Sequence, residues 1–208
     1  MNVANPEAAA LVLVEEFAHR VLNEYTQAIA GLKLAARRAS DDVTRRQLTA
    51  AADQLFAHAC AHRALAMPAP DPRCDVGNYI ARVCAAVAQS LLPDTGLRLK
   101  LETSEAALSS GRCWRLALIV SELIHNAARH GDRTCEVLVE LSADDRELYC
   151  CVSNSGGCSA APSFGRGRVI VLALAEDLGG RADWLFTPTG ACVWVVIPIS
   201  RSAALDLQ

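Results

Sequence analysis

From Glu7 to Met67 the chain contains no proline and one glycine, Gly31, and alanine, leucine, arginine and glutamate dominate. Such a stretch has little choice but helix, because these residues lose least freedom there and nothing in it breaks the backbone ladder. Leu11, Val14, Ala18, Val21, Tyr25, Ala28, Leu32 and Ala35 recur at alternating steps of three and four. That spacing lays an apolar seam along one face and predicts a helix packed against other helices. Ser40-Asp41-Asp42 reads as a short turn carrying an N-cap for a second helix, whose stripe is Leu48, Ala52, Leu55, Ala59 and Ala66. Two helices with a short connection make an antiparallel hairpin. A lone hairpin buries its stripe poorly. The pattern therefore predicts pairing with a second copy, giving a homodimeric four-helix bundle; packing on the chain's own second half is the alternative.

Met67-Pro68-Ala69-Pro70-Asp71-Pro72-Arg73 is the strongest break and divides the chain into 1–68 and 69–208. Beyond it the periodicity is mixed. Helices are expected over 75–92, 112–130 and 169–178, the last ended by Gly179-Gly180. Strands are expected over 97–102, 135–141, 147–153, 182–186 and 191–197, with turns at 142–145 and 188–190. Helices with antiparallel strands predict a two-layer α/β sandwich, so the fold class is α+β: a helical hairpin followed by the sandwich.

With 208 residues, 52% apolar and 21% charged, the chain has material for a core. Its net charge of −3 gives no reason to expect nucleic acid as a partner. Glu15 and Glu16 interrupt the apolar start, and no run is long enough to span a membrane, so a cytoplasmic location is expected. Nine cysteines lie mostly in apolar patterns and are read as small buried hydrophobes. There is no Cys-x-x-Cys pair, and His58 and His62 lack a third ligand, so no structural metal centre is expected.

Three groups of residues can carry chemistry. His19 lies one position past seam residue Ala18, flanking the stripe and reachable from solvent. Glu16, three before it, can accept one imidazole N–H and leave the other nitrogen nucleophilic, and Asn23, four after it, can orient a water. Glu122 and Asn126 are four apart on one face of a helix, where a carboxylate and an amide oxygen suit Mg²⁺ between nucleotide phosphates, and Arg129 one turn on can meet a phosphate. Asn154-Ser155-Gly156 ends a strand, and Gly165-Arg166-Gly167 precedes a helix, where backbone N–H groups can approach phosphate.

In this order these features resemble the transmitter core of two-component histidine kinases: a dimerisation and phosphotransfer hairpin, then an ATP-binding domain of the GHKL type. The His19-Arg20-Val21-x-Asn23 run is similar to the subfamily whose phosphoacceptor is followed by arginine. The resemblance spans roughly residues 9–199. It implies that His19 takes the phosphoryl group, that Glu122 is a base or orienting carboxylate, and that Asn126 binds Mg²⁺ through the nucleotide. Arg129, His130, Asn154, Gly156, Gly165 and Gly167 are implied to shape the ATP pocket. The implied partners are a receiver domain of a response regulator, a second copy of the chain and a separate sensor protein. Three departures stand out. Asn154 occupies the position where the family has an aspartate bonded to the adenine amine; the lid segment Cys158–Phe164 is short; and Cys158 replaces a glycine. Losing the charge weakens that bond by about 1 kcal/mol. Two functions therefore stand: an ATP-dependent histidine kinase, and an ATP-independent histidine phosphotransferase relaying phosphate between receiver domains through His19. A binding module reusing the GHKL fold is a third, and the phosphoacceptor hairpin argues against it.

Overall fold

The computed structural model describes residues 6–96, 98–130, 136–155 and 165–199, with side chains from residue 16 onward apart from 92–95 and 130. Compactness divides the chain into two units, 1–67 and 68–208.

In the first unit α1 (Pro6–Arg38) packs along α2 (Asp42–Ala64). The reversal is fixed at Asp41, whose carboxylate accepts from the Thr44 N–H at 2.7 Å. This satisfies one of the donors that a helix start leaves open. The same bond holds the Asp41 carboxyl below its ordinary value. The seam differs in phase from the expected heptad. Ala28 and Ala35 are exposed, while Ile29 is half-buried and Ala36 buried. Ala18, Val21, Tyr25, Ile29, Leu32 and Ala36 form the inward line. From 18 to 36 that is five turns of an ordinary helix at 3.6 residues each, not the tighter repeat of a supercoil.

In the second unit the main sheet has the order β2-β4-β5-β7-β6, with β2 (Arg98–Thr103), β4 (Glu136–Ala143), β5 (Glu147–Ser155), β6 (Arg181–Thr187) and β7 (Gly190–Pro198). β2 pairs with β4 in parallel, where antiparallel pairing alone was expected. The chain reaches β4 from β2 through a helix, and such a crossover is what a parallel neighbour requires. A two-residue ladder of β1 (Cys74–Asp75) and β3 (Ala107–Leu108) has no counterpart in the sequence reading. The remaining helices are α3 (Val76–Thr95), α4 (Ser110–His130) and α5 (Arg166–Asp177). Asp75 opens α3 by accepting from the Asn78 N–H at 2.9 Å. In the β4–β5 turn Asp144 accepts from the Arg146 and Glu147 N–H groups, an Asx turn two residues later than the expected start.

Strand alternation decides which sheet face takes the helices. Val137, Val139, Leu141, Leu148, Cys150, Val152, Val193, Val195 and Ile197 are buried, and their neighbours Glu140, Tyr149 and Trp194 are exposed. α4 meets this inner face with Leu116, Ile119, Val120 and Ile124, and α3 adds Ile80, Val83 and Val87. Each such aliphatic contributes about 1.5–3 kcal/mol by leaving water. α5 ends in a Schellman motif: the Gly179 N–H reaches the Glu176 carbonyl and the Gly180 N–H the Ala175 carbonyl, each at 2.8 Å. Gly179 sits at φ +73°, where glycine is favoured.

The buried cysteines behave as the apolar reading expects. Burial pushes the Cys84 thiol up to about 12, and the Cys150 thiol higher still. Cys151 and Cys192 meet on the outer sheet face, sulfur to sulfur at 3.0 Å. Cys135 and Cys158 lie outside the described residues.

Candidate functional site

The hairpin presents His19 on the exposed side of α1, one position past the inward line. Asn23, one turn on, brings its amide to 3.3 Å from His19 Nδ1. The expected Glu16 partner is engaged elsewhere. Its carboxylate accepts from Arg20 Nε at 2.8 Å, and Arg20 holds the Glu16 carboxyl below its ordinary value. The Arg20 guanidinium, one turn on, takes the carboxylate in an ionised pair, which makes a strong bond. The imidazole is therefore oriented by the amide, in the position where a water-orienting role alone was expected.

In the second unit a cavity of about 450 Å³ opens between α4, the start of α5 and the inner ends of β5, β6 and β7. That is the size of a small-ligand pocket. Glu122, Asn126 and Arg129 line it from α4, Asn154 from the end of β5, and Gly165 and Gly167 from the start of α5. The structure thus brings together six residues singled out in the sequence. The Asn126 Nδ2 donates to Glu122 Oε1 at 3.2 Å, as the i,i+4 spacing allows. That bond uses the amide nitrogen and leaves the carbonyl oxygen of Asn126 to act as a ligand. An oxygen donor with a carboxylate beside it fits a hard cation such as Mg²⁺.

Gly167 is the tightest point. A Cβ there would stand 1.9 Å from Glu122 Oε1 and 3.2 Å from Asn126 Nδ2. Any other residue there would push the Glu122 carboxylate out of its place beside Asn126. Gly165 caps α5 in extended conformation without a side-chain hydrogen bond; the Arg168 N–H turns back to the Gly165 carbonyl at 3.2 Å, and the Arg166 and Gly167 N–H groups at the helix start are the donors suited to an anion. Gly156 and the lid segment lie outside the described residues, as does the side chain of His130.

The sequence reading missed the apolar walls. Leu123, Val152, Ile170, Trp184 and Phe186 line the cavity, and the Arg168 guanidinium lies 4.2 Å over the Trp184 ring. The alternation of Trp184 and Phe186 in β6 was the signal available, since both point to the inner face.

Residues 16–91 match the histidine kinase family model HisKA_2. The sensor histidine kinase PdtaS of Mycolicibacterium smegmatis is 26% identical over 200 residues, which is 90% of this chain. The chain spans 40% of that protein's length. Among solved structures, the histidine kinase domain of the blue-light activated kinase from Erythrobacter litoralis superposes with a TM-score of 0.59 at 21% identity, covering 86% of this chain and 96% of that one. A bacterial phosphotransferase superposes with a TM-score of 0.61 at 13% identity, covering 93% and 98%. At these identities the structural likenesses speak to the fold, while the family match and the kinase relatives speak to descent. The family match over residues 16–91 and the kinase relatives support a two-component histidine kinase core, and the solved structures share its fold of helices followed by a mixed sheet.

Proposed function

We propose that the chain is an ATP-dependent protein-histidine kinase whose phosphoacceptor is His19 and whose product is passed to an aspartate of a response-regulator receiver domain. The observation that carries this reading is the Glu122–Asn126 pair clasped against Gly167 at the start of α5. A solvated helix face has no need of a glycine that holds a second helix on top of its polar groups. In this reading Asn126 supplies an oxygen to Mg²⁺, which when bound screens the phosphate charges and assists departure of ADP. Glu122 orients Asn126 and serves as base or orienting carboxylate. Arg129 and the Arg166 and Gly167 N–H groups bind phosphate oxygens, and the family resemblance assigns Gly156 and His130 to the same nucleotide. At His19 a ring nitrogen forms the N–P bond as the bond from the γ-phosphorus to ADP breaks. Asn23 holds the ring, and the imidazole proton leaves to base or solvent. The receiver aspartate then takes the phosphoryl group, returning the histidine.

Exposed Phe17, Leu34, Val43 and Phe56 on the hairpin support a homodimeric bundle. No helix among the described residues is long and apolar enough to cross a membrane. A cytoplasmic protein receiving its input from a separate sensor protein fits that.

A second reading has a specific observation behind it: Asn154 at the base-reading position, joined to a fold shared nearly end to end with a bacterial phosphotransferase. There the chain accepts phosphate from one receiver domain and gives it to another through His19, with no ATP. Incubation of the full chain with γ-labelled Mg·ATP separates the two. The kinase reading expects acid-labile label that His19→Gln and Asn126→Ala each abolish. Label arriving only from a phosphorylated receiver domain, and surviving Asn126→Ala, would establish the relay and end the kinase reading.

A further inference from the structure

Asn154 stands near the end of β5, opposite Val137 of β4 and Ala191 of β7, so ladders on both sides fix its backbone. Its carbonyl is further crowded by Gly190, where a Cβ would come within 2.1 Å of the Asn154 oxygen. Along the strand it shares the inward face of Cys150 and Val152. The side chain is half-buried, lines the cavity, and makes no hydrogen bond among the described residues. A polar group held this firmly at the cavity wall, with no partner among the described residues, is available to read a ligand. The walls beside it include Leu123, Val152, Trp184 and Phe186, which suit the faces of a planar ring.

The chemistry of the amide decides which ring. A carboxylate only accepts, so opposite the 6-position of a purine it takes the amine of adenine and repels the carbonyl of guanine. An amide carries one acceptor and two donor hydrogens. In one orientation its oxygen accepts from the adenine 6-amine while its nitrogen donates to ring nitrogen 1, a two-bond contact analogous to the one asparagine makes with adenine through N6 and N7. Turned by half a rotation, the nitrogen donates to the guanine 6-carbonyl while the oxygen accepts from the ring N–H. Each orientation makes two bonds, and no partner among the described residues biases the choice. We propose that Asn154 makes this cavity a site for purine nucleotides of both kinds, 6-amino and 6-oxo, bound with similar affinity. The proposal rests on the reading that the cavity holds a nucleotide, and it assigns to Asn154 the loss of discrimination between bases.

The test is calorimetric titration of the full chain with Mg·ATP, Mg·GTP and Mg·ITP, the last carrying the 6-carbonyl without the 2-amine. Dissociation constants within about fivefold of one another are expected for the unaltered protein. Asn154→Asp should then favour ATP over both 6-oxo nucleotides by about tenfold or more, the discrimination a two-bond contact provides. A preference of the unaltered protein for ATP beyond about thirtyfold overturns the proposal and leaves the kinase reading standing. An unchanged ratio in Asn154→Asp, or one shifted towards GTP, overturns the role given to Asn154. Absence of binding by all three nucleotides to both proteins overturns the proposal together with the nucleotide reading beneath it. Because the unaltered protein already fixes the first ratio, the proposal remains falsifiable should the variant fold badly.

Discussion

The two units solve the burial problem in opposite ways. In the sheet unit the fully buried side chains are large: Ile80, Leu116, Ile119, Ile124, Leu148, Leu178 and Ile197. In the hairpin the buried apolar residues are alanines, Ala36, Ala52, Ala59 and Ala61, while Phe17, at 69% exposure, and Phe56, at 54%, face outward. Small residues between two helices allow close approach but remove little surface from water. The sheet unit therefore carries its own stabilisation and can hold a pre-formed pocket. The hairpin leaves large apolar groups for another surface, and His19, the proposed phosphoacceptor, is exposed on the same helix as Phe17. Chemistry that needs water excluded belongs in the first, and a group that must visit several proteins belongs on the second.

The comparison breaks most visibly at Ile124. Truncation to alanine removes a fully buried side chain from the same helix, two residues from each of Glu122 and Asn126. A loss of about 2–5 kcal/mol is expected, read as a lower midpoint in denaturant unfolding. The hairpin counterpart is Phe56→Glu. In an isolated hairpin an exposed position tolerates the change within about 0.5 kcal/mol. At an interface between two copies it weakens association by about 2 kcal/mol, roughly thirtyfold in dissociation constant. Sedimentation of the unaltered protein and the variant distinguishes these, and an unchanged oligomeric state would mean that something other than a second copy covers Phe56.

The contrast between the units also explains what the sequence made legible. Strand alternation in β4, β5 and β7 is carried mostly by valine, leucine and isoleucine set against polar or exposed neighbours, so the faces and the sandwich were readable. In the hairpin the phase of the seam slipped by one at Ala28 and Ala35. Alanine fits either side of a helix, and over several turns a heptad reading drifts from a helix of 3.6 residues per turn. At the candidate sites the polar residues of α4 and the glycines before α5 were legible because their spacing is local. The Glu16–Arg20 pair was not, since the sequence supplies two neighbours for one carboxylate and only geometry selects between them. The stacking of Arg168 on Trp184 joins residues far apart in the chain, and no local pattern encodes it.

Two glycines sharpen the view of the sheet unit as the closely packed partner. Gly180→Ala would place a Cβ 2.1 Å from the Val196 carbonyl oxygen and 2.8 Å from the Ile197 side chain, with backbone atoms unable to move aside. Overpacking of that kind costs about 1–3 kcal/mol. Gly179→Ala has room beside it, the nearest atom being 3.5 Å away on Pro198, and suffers only from its φ of +73°. A loss of about 1 kcal/mol is expected. If the two thermal midpoints fell together, the approach of α5 to β7 would be looser than the contrast between units requires.

The smallest effect lies on the outer sheet face, where the sheet unit comes nearest to the hairpin's exposed character. The Tyr149 hydroxyl donates to Glu147 at 2.9 Å and lies 3.1 Å from Asp144, tying the β4–β5 turn. The Glu147 bond first, then desolvation and Asp144, push the Tyr149 hydroxyl from its ordinary 10.0 up to about 12. The folded state thus keeps this proton where the unfolded chain has lost it. Its contribution is fully present below pH 10 and is lost as the pH rises towards 12. Solvent screens a group this exposed, so the shift in thermal midpoint should be smaller than that of Gly179→Ala. Tyr149→Phe should flatten the fall in stability between pH 10 and 12 and leave the neutral-pH midpoint nearly unchanged. An equally steep alkaline fall in Tyr149→Phe would assign that titration to the buried thiols of the inner face, and the outer face would then contribute nothing to the stability of the sheet unit.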